Sequence, residues 1–234
     1  MTTSLDGAVV LVTGANGGLG IEFVKQALER GASKVYASAR TPREWNDPRI
    51  VPLALDVTSP ESIDAAVIAA PDVSILVNNA GITAQSDSIT AGTMDDLRST
   101  FETNFFGAVA VGRAFAPVVG TNGGGAFIDV HSALSWLGVA GAYSASKAAF
   151  WSVTNSFRLE LAAQGTHVLG LHLGYTDTPM TKDVTAPKGD PADVVRSAFD
   201  GLESGEYEVL ADETSVNVKA GLSAPIVALY PSLA

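Results

Sequence analysis

Short apolar runs alternate along the chain with longer segments in which apolar residues recur every three or four positions. The uninterrupted runs, typical of strands buried on both faces, predict strands at 8–13, 34–39, 51–56, 74–78, 125–131, 167–173 and 207–211. The periodic segments predict helices at 18–30, 60–69, 93–118, 142–164 and 191–204. Strands that alternate with helices predict an α/β fold: a doubly wound, parallel, seven-stranded sheet with helices on both faces.

The same pattern predicts one domain over residues 1–234, because no internal repeat, low-complexity tract or linker interrupts it. Between about 179 and 191 the chain carries three prolines and mixed polar residues. This segment follows the sixth predicted strand, so we expect a substrate loop over the carboxyl ends of the strands, where such sheets bind ligands.

A glycine-rich turn joins the first predicted strand to the first predicted helix. Residues 13–20 read Thr-Gly-Ala-Asn-Gly-Gly-Leu-Gly, with the spacing Gly-x-x-x-Gly-x-Gly. A strand, a glycine turn and a helix N-terminus together present backbone N–H groups to a phosphate, and a Cβ at the glycines would hold a pyrophosphate away. A plain tight turn is the alternative interpretation.

Tyr143 and Lys147 stand four residues apart in a predicted helix, which places them on one helix face. A neighbouring ammonium favours the phenolate, so we expect Lys147 to lower the pKa of Tyr143 and make the phenol a proton donor and acceptor. Taken alone, such a pair also fits an ordinary amphipathic surface helix.

Four segments together resemble the short-chain dehydrogenase/reductase family, in its order and spacing. They are the turn at 13–20, Asn78-Asn79-Ala80-Gly81, Asn104 in the following helix, and Ser132 ahead of Tyr143-x-x-x-Lys147. The resemblance spans about residues 5 to 212 and implies a Rossmann-type fold.

The resemblance implies a catalytic role for four side chains. Tyr143 is expected to be the general acid in reduction and the general base in oxidation, and Lys147 to bind the nicotinamide ribose. Ser132 is expected to hold the substrate oxygen, and Asn104 to anchor a water molecule. Ser132 lies nearer to Tyr143 than is usual in the family, so Ser135 is a competing hydroxyl.

A nicotinamide cofactor is also implied, held by the glycine turn, the strand ends and the Tyr-Lys pair. The residues expected to bind it are Gly14, Asn16, Gly17, Gly18, Leu19, Arg40, Asp56, Val57, Asn79, Ala80, Gly81, Tyr143, Lys147, Gly174, Thr176 and Thr178. Ala39 occupies the family's acidic position and Arg40 follows it, which favours NADP(H), with NAD(H) as the alternative. Arg40 could otherwise be a solvated loop charge, and Asp56 a helix cap.

Apolar residues after the fourth, fifth and sixth predicted strands form the expected substrate pocket. They are Ile82, Leu134, Trp136, Leu137, Tyr175 and Met180. Some of them could instead pack beneath the loop. The wall has few charges, so we expect a neutral, fairly hydrophobic carbonyl or alcohol.

Four further polar residues in the predicted strands are interpreted as structural. Asp129 lies within an apolar strand, where we expect it to be hydrogen-bonded. His131 is interpreted as incidental to catalysis, and His167 and His172 alternate with core positions.

Composition narrows the function further. The chain has no cysteine and a net charge of −11, which argues against thiolate-bound metals and nucleic acid, and no metal site is predicted. Residues 105–120, the most apolar stretch, contain Arg113 and Pro117, and residues 1–6 lack the features of a signal peptide. These observations predict a cytoplasmic enzyme that binds no membrane.

The sequence therefore predicts an NADP(H)-dependent short-chain oxidoreductase, a carbonyl reductase and reversible alcohol dehydrogenase. The alternatives are a catalytically inactive NADP-sensing regulator and a sugar-nucleotide epimerase or dehydratase. The helices at 93–118 and 142–164 carry small and aromatic residues on several faces, and relatives pair these helices across a two-fold axis. The resemblance thus implies a homodimer, with a tetramer as a further possibility.

Overall fold

The computed structural model describes residues 3–233, so residues 1, 2 and 234 of the predicted domain lie outside the described part. Its strands are β1 (Val9–Thr13), β2 (Lys34–Ala39), β3 (Ile50–Ala54), β4 (Ile75–Asn78), β5 (Ala126–Val130), β6 (His167–His172) and β7 (Glu208–Leu210). They form one parallel sheet in the order β3-β2-β1-β4-β5-β6-β7. The predicted seven-stranded parallel sheet is confirmed, with strand ends shifted by one or two residues.

Helices cover both faces of this sheet, as expected from the apolar strands. They are α1 (Leu19–Glu29), α2 (Pro60–Ala69), α3 (Met94–Phe101), α4 (Ala108–Thr121), α5 (Gly141–Leu161), α6 (Pro191–Ser204), α7 (Glu213–Gly221) and α8 (Ile226–Leu229). The first core cluster includes side chains of α1 and α6, and the second includes side chains of α2, α4 and α5. The fold is therefore of the doubly wound Rossmann type.

The helix predicted at 93–118 is interrupted in the structure. Residues Glu102–Gly107 form a π-helical segment between α3 and α4, and α4 continues to Thr121. Gly107 packs so closely on Val57 that a Cβ at this position would lie 2.8 Å from Val57 Cγ2. π-Helical turns occur mostly as short insertions in α-helices and are frequent at functional sites, and this one carries Asn104.

The helices α7 and α8 have no counterpart among the predicted elements. The signal for α7 is its start, because Asp212 accepts a hydrogen bond from Ser215 N at 2.8 Å and Ser215 reaches back to Asp212 N. This reciprocal cap satisfies free N–H groups at the helix N-terminus. The apolar periodicity of α7 is weak, since only Ser215 is buried along its length.

Asp129 is the buried carboxyl group at the centre of the sheet. Its two oxygens accept hydrogen bonds from Asn78 Nδ2 on β4, at 3.0 Å, and from Thr154 Oγ1 on α5, at 2.7 Å. Burial raises the pKa of Asp129, and the two hydrogen bonds oppose that shift. The expected hydrogen-bonded role is what the structure shows.

Replacing Asp129 with asparagine tests the cost of this buried charge. Because the folded-state pKa is raised, the folded protein binds a proton more tightly than the unfolded chain does. The resulting penalty grows as pH rises above the ordinary aspartate pKa of about 3.9. We expect the melting temperature of Asp129→Asn at pH 7 to equal or exceed that of the wild type. Its unfolding free energy should also fall less between about pH 4 and pH 8, as followed by thermal and urea unfolding.

Asp129→Ala is the matched control, because it leaves the buried Asn78 amide without an acceptor and leaves Thr154 with the Phe150 carbonyl oxygen as its remaining acceptor. This variant should lose about 1–3 kcal/mol of unfolding free energy. A steeper loss of stability with rising pH in Asp129→Asn than in the wild type would contradict the account.

Candidate active site

A cavity of about 650 Å³ opens at the carboxyl edge of the sheet. Its walls come from the glycine turn after β1, the segments after β4, β5 and β6, and the first turns of α5. The strand order reverses between β1 and β4, and open α/β sheets bind ligands at such a switch point. Some of the predicted site residues line this cavity, and others lie outside it.

The glycine turn has the close approach that the sequence predicts. Gly14 and Gly18 adopt φ of +68° and +52°, and a Cβ on Gly20 would lie 2.2 Å from the Gly14 carbonyl oxygen. Side chains are therefore excluded at all three positions. Gly18 caps α1, so the first N–H groups of this helix border the cavity and fit the phosphates of a dinucleotide.

Thr13 fixes the turn against the segment that follows β4, a role that the sequence pattern did not indicate. Its hydroxyl accepts hydrogen bonds from Asn79 N at 2.9 Å and Ala80 N at 3.0 Å and lies 3.2 Å from Val77 O. Asn79 Nδ2 donates in turn to Thr13 O at 2.8 Å. Asn79, Ala80 and Gly81 consequently line the cavity beside the glycine turn.

Asn104 projects from the π-helical segment and is almost fully buried. It accepts a hydrogen bond from Ile82 N at 2.8 Å and donates to Ile82 O at 2.9 Å and Ser146 Oγ at 3.2 Å. Asn104 thus ties the segment after β4 to α5. The Ile82 side chain is 36% exposed and does not line the cavity, in contrast to its predicted place in the substrate pocket.

Tyr143 and Lys147 both line the cavity from the start of α5. Lys147 Nζ donates to Val130 O at 2.8 Å and lies 5.9 Å from the centre of the Tyr143 ring. Burial lowers the pKa of Lys147 to about 8, while the Asp129 carboxyl group opposes that shift. The lysine is therefore able to exchange protons near neutral pH.

The pKa of Tyr143 departs from the sequence-based expectation. Burial raises it to about 12, and the Ser132 hydroxyl acts in the opposite direction. The ammonium group of Lys147 is hydrogen-bonded to the Val130 carbonyl oxygen and lies 5.9 Å from the centre of the Tyr143 ring. The four-residue spacing places Tyr143 and Lys147 at the same cavity, but burial determines the direction in which their pKa values shift.

Of the two candidate serines, Ser132 lines the cavity and Ser135 does not. Ser132 is the second residue after the end of β5; its hydroxyl accepts a hydrogen bond from Leu134 N at 3.1 Å and lies 3.4 Å from Leu173 O. Ser135 Oγ instead faces Ser132 N at 3.4 Å, as part of a capping box for the short helical turn at 133–135. The shortened loop therefore leaves the hydroxyl of Ser132 at the cavity.

Gly174, Thr176 and Thr178 lie along the cavity after β6, as expected for the cofactor-binding segment. Thr176 is buried, and its hydroxyl has no hydrogen-bond partner within residues 3–233. A buried hydroxyl without a partner fits a polar ligand group such as a carboxamide. The loop that follows is pinned at its base, because Gly189 N donates to Tyr175 O at 2.8 Å.

The residues at the end of β2 lie beside the glycine turn but outside the cavity. Arg40 is exposed, and Asn16 holds the following loop through Thr41 O at 2.7 Å and Arg43 N at 3.2 Å. The Arg43 guanidinium stacks over the Trp45 ring at 4.4 Å. Two arginines are therefore available where the adenosine end of a dinucleotide would emerge.

Asp56 and Val57 do not line the cavity either. Asp56 accepts hydrogen bonds from Thr58 N at 2.9 Å and Thr58 Oγ1 at 2.7 Å, which lower its pKa, with a smaller effect of Arg40. The alternative helix-capping role for Asp56 is not seen, because Ser59 caps α2.

Four of the six predicted substrate-pocket residues line the cavity: Leu134, Leu137, Tyr175 and Met180. Trp136 is turned away from it and stacks on the His172 ring at 4.0 Å between centroids. The alternative of packing beneath the loop therefore describes Trp136. The cavity lining also includes residues that were not expected from the sequence, among them Asp87, Val139, Ala140, Val184 and Thr214.

The three histidines occupy structured positions. His131 Nε2 lies 3.1 Å from Thr154 Oγ1, His172 Nδ1 lies 3.3 Å from Ser132 O, and His167 Nε2 lies 2.7 Å from Glu206 O. Burial lowers the pKa of all three, so they are neutral near pH 7. His131 also lines the cavity wall, beside Ser132.

Two classes of site are absent from residues 3–233. The described side chains include no group of three or more potential metal ligands placed to hold an ion. Over the same residues, no helix combines the length and apolar character that crossing a lipid bilayer requires.

Comparison with known proteins assigns the family. The short chain dehydrogenase model matches residues 8–189. The chain is 30% identical to the 3-oxoacyl-[acyl-carrier-protein] reductase of Vibrio cholerae, covering 94% of this chain and 98% of that one. It is 31% identical to the 1-deoxy-11-beta-hydroxypentalenate dehydrogenase of Streptomyces exfoliatus, over 81% and 75%.

A solved structure gives the same answer. A short chain dehydrogenase from Burkholderia cenocepacia in complex with NADP superposes with a TM-score of 0.92 at 35% identity, over 98% of both chains. The match covers the glycine turn, the sheet and the cavity described above. This chain belongs to the short-chain dehydrogenase family, whose oxidoreductases act on CH–OH and C=O groups with a nicotinamide cofactor.

Proposed function

We propose that the protein is an NADP(H)-dependent carbonyl reductase, and in reverse an alcohol dehydrogenase, for neutral and fairly hydrophobic substrates. The observation that carries the proposal is the convergence of Ser132, Tyr143 and Lys147 on one cavity beside a glycine turn built for phosphates. A proton donor, a hydroxyl for the substrate oxygen and a cofactor site are what carbonyl reduction needs.

When bound, the nicotinamide cofactor supplies the hydride in reduction and accepts it in oxidation. Ser132 Oγ holds the carbonyl oxygen, on which negative charge develops, and Tyr143 Oη donates the proton to that oxygen. In oxidation the same phenol accepts the proton. Lys147 binds the ribose, and its pKa of about 8 suits it to pass a proton between Tyr143 and solvent. Asn104 anchors a water molecule next to Lys147.

A phenol with a pKa of about 12 is a weak acid, so the proposal includes a change on cofactor binding. Lys147 gives up its hydrogen bond to Val130 O, or shares it with the ribose, and moves its charge towards the phenol. The positive charge of an oxidised nicotinamide ring acts in the same direction. Both effects lower the pKa of Tyr143 when the proton has to move.

The preference for NADP(H) rests on the end of β2. Ala39 occupies the position at which an acidic side chain would repel a 2′-phosphate, so no such repulsion arises here. Arg40, the next residue, is able to pair with that phosphate. Asn16 holds the loop that carries Arg43 against the glycine turn, so a second arginine lies in the segment that follows Arg40. The NADP bound by the Burkholderia cenocepacia relative supports the choice, and NAD(H) is the alternative.

The class of substrate follows from the cavity wall. Most of its side chains are apolar, and its charged residues are Asp87 and Lys147. Asp87 disfavours carboxylated or phosphorylated substrates, and Lys147 is assigned to the ribose. The relatives include a 3-oxoacyl-[acyl-carrier-protein] reductase and a 1-deoxy-11-beta-hydroxypentalenate dehydrogenase, which supports a carbonyl or alcohol as the reacting group.

We also propose a cytoplasmic homodimer formed through α4 and α5. Leu159 on α5 is 82% exposed and Phe106, next to α4, is 54% exposed, so these helices leave apolar surface uncovered. The alternative assembly is a tetramer, in which a second interface forms through the C-terminal segment.

Tyr143→Phe tests the proposed reaction. With NADPH and a panel of neutral aryl and alkyl ketones, this variant should lose ~10²–10⁴-fold in kcat, because the transferable proton is gone while the ring remains. Its affinity for NADPH, measured by fluorescence titration, should stay within about twofold of the wild type. Ser132→Ala should be strongly impaired and Ser135→Ala should be close to the wild type.

Two results would overturn this proposal. Retention of more than about a tenth of wild-type kcat in Tyr143→Phe would remove the phenol from the proton transfer. A wild-type enzyme that binds NADPH tightly but reduces no ketone in the panel would favour the inactive regulator instead.

Arg40→Asp tests the cofactor preference. The added carboxylate repels the 2′-phosphate, and the lost guanidinium no longer pairs with it, so KM for NADPH should rise at least about tenfold. KM for NADH should change by less than about twofold. Arg43→Asp should shift the same ratio more weakly. Equal losses for the two cofactors in Arg40→Asp would show that Arg40 does not contact the phosphate.

A further inference from the structure

The loop between β5 and α5, residues 133–140, forms one wall of the cavity. Leu134, Leu137, Val139 and Ala140 all line it, and they face the space above Ser132 and Tyr143. Gly138, in the middle of this wall, is exposed. The position of this loop therefore sets how much room a substituent on the carbonyl carbon has.

Residues 212–230, here named the C-terminal cap, hold that wall from outside. Asp212 Oδ2 accepts a hydrogen bond from Gly174 N at 2.5 Å, which places α7 against the segment after β6. Thr214, in the first turn of α7, lines the cavity itself. The C-terminal cap thus takes part in the site and does not only follow it in the chain.

The first attachment of the loop to the C-terminal cap is through Trp136. The ring of Trp136 lies between His172, stacked at 4.0 Å, and Lys219 of α7, whose Nζ is 4.7 Å from the ring centre. Glu208 fixes this cluster, since it binds Lys219 Nζ at 2.5 Å and Trp151 Nε1 at 3.0 Å. The base of the loop is therefore firmly packed.

The second attachment is a single hydrogen bond at the exposed tip of the loop. Gly138 N donates to Tyr230 Oη at 2.9 Å, across 92 residues of sequence. Tyr230 follows α8 directly, and its own amide is bonded to Ile226 O at 3.0 Å. Without the phenol, the Gly138 amide would face solvent, and the tip between Leu137 and Val139 would lose its link to the C-terminal cap.

We propose that Tyr230 is a specificity-determining residue. Through its hydrogen bond with the Gly138 amide, Tyr230 keeps the tip of loop 133–140 in a position where it contacts bulky apolar substituents of the substrate. The inference rests on the proposed function, in that the substrates are neutral ketones reduced in this cavity. A fixed wall lowers the loss of freedom on binding for ketones that reach it. Small ketones do not reach the wall, so the hydrogen bond between Gly138 and Tyr230 should not affect their KM.

Tyr230→Phe removes one hydroxyl group and keeps the ring. With NADPH at saturation, KM for a bulky aryl ketone should rise roughly 2- to 10-fold, the range expected for one hydrogen bond. KM for a small dialkyl ketone, kcat for both, and KM for NADPH should stay within about twofold. Tyr207→Phe is the matched control, because Tyr207 is 62% exposed and its hydroxyl makes no hydrogen bond with residues 3–233.

Amide hydrogen exchange of a peptide spanning residues 137–140 gives a readout that is independent of catalysis. Exchange at Gly138 should be at least about threefold faster in Tyr230→Phe than in the wild type or in Tyr207→Phe. Unchanged exchange would overturn the attachment itself. Faster exchange with equal changes in KM for bulky and small ketones would overturn the role in specificity.

The two proposals can fail separately. If the wild-type enzyme reduces no ketone, the proposed function is wrong, while the exchange experiment still decides whether Tyr230 holds the loop. If ketones are reduced and exchange at Gly138 does not depend on Tyr230, the function stands and this inference is wrong.

Discussion

The hydrogen bonds of the Asp129 carboxyl group link the three elements that must meet for chemistry at this site. Asn78 ends β4, Asp129 lies in β5, and Thr154 belongs to α5, the helix that carries Tyr143 and Lys147. About two helical turns closer to the site, Lys147 is bonded to the carbonyl oxygen of Val130, beside Asp129 in β5. These buried bonds fix the height of α5 on the sheet, so the phenol and ammonium lie opposite Ser132 at the cavity wall.

Most of the framework could be predicted because it depends on local pattern. The apolar runs at β1, β4 and β5 are typical of strands buried on both faces of a parallel sheet. The glycine spacing predicts a tight turn, and Gly14 and Gly20 leave no room for a side chain. Elements that depend on distant partners could not be predicted. The π-helical turn places the Asn104 side chain where it is hydrogen-bonded to Ile82, a partner distant in sequence. Helix α7 has little apolar periodicity of its own.

Side-chain direction and electrostatics were harder to predict for the same reason. Trp136 is apolar and close to the site in sequence, yet its best packing is the His172 ring on the far side of the loop. Lys147 stands four residues from Tyr143, yet burial raises the pKa of the phenol to about 12 and lowers that of the lysine to about 8. Desolvation depends on the whole surrounding structure, which helical spacing does not give.

In the proposed mechanism, Tyr143 therefore becomes acidic only when cofactor is bound. The most direct test is the ultraviolet difference absorbance of phenolate at about pH 9, for wild-type protein minus Tyr143→Phe, with and without NADP⁺. We predict no measurable phenolate from Tyr143 in the free protein and a clear signal in the presence of NADP⁺. The same low signal in both conditions would contradict the assignment of Tyr143 as the group that gives and takes the proton.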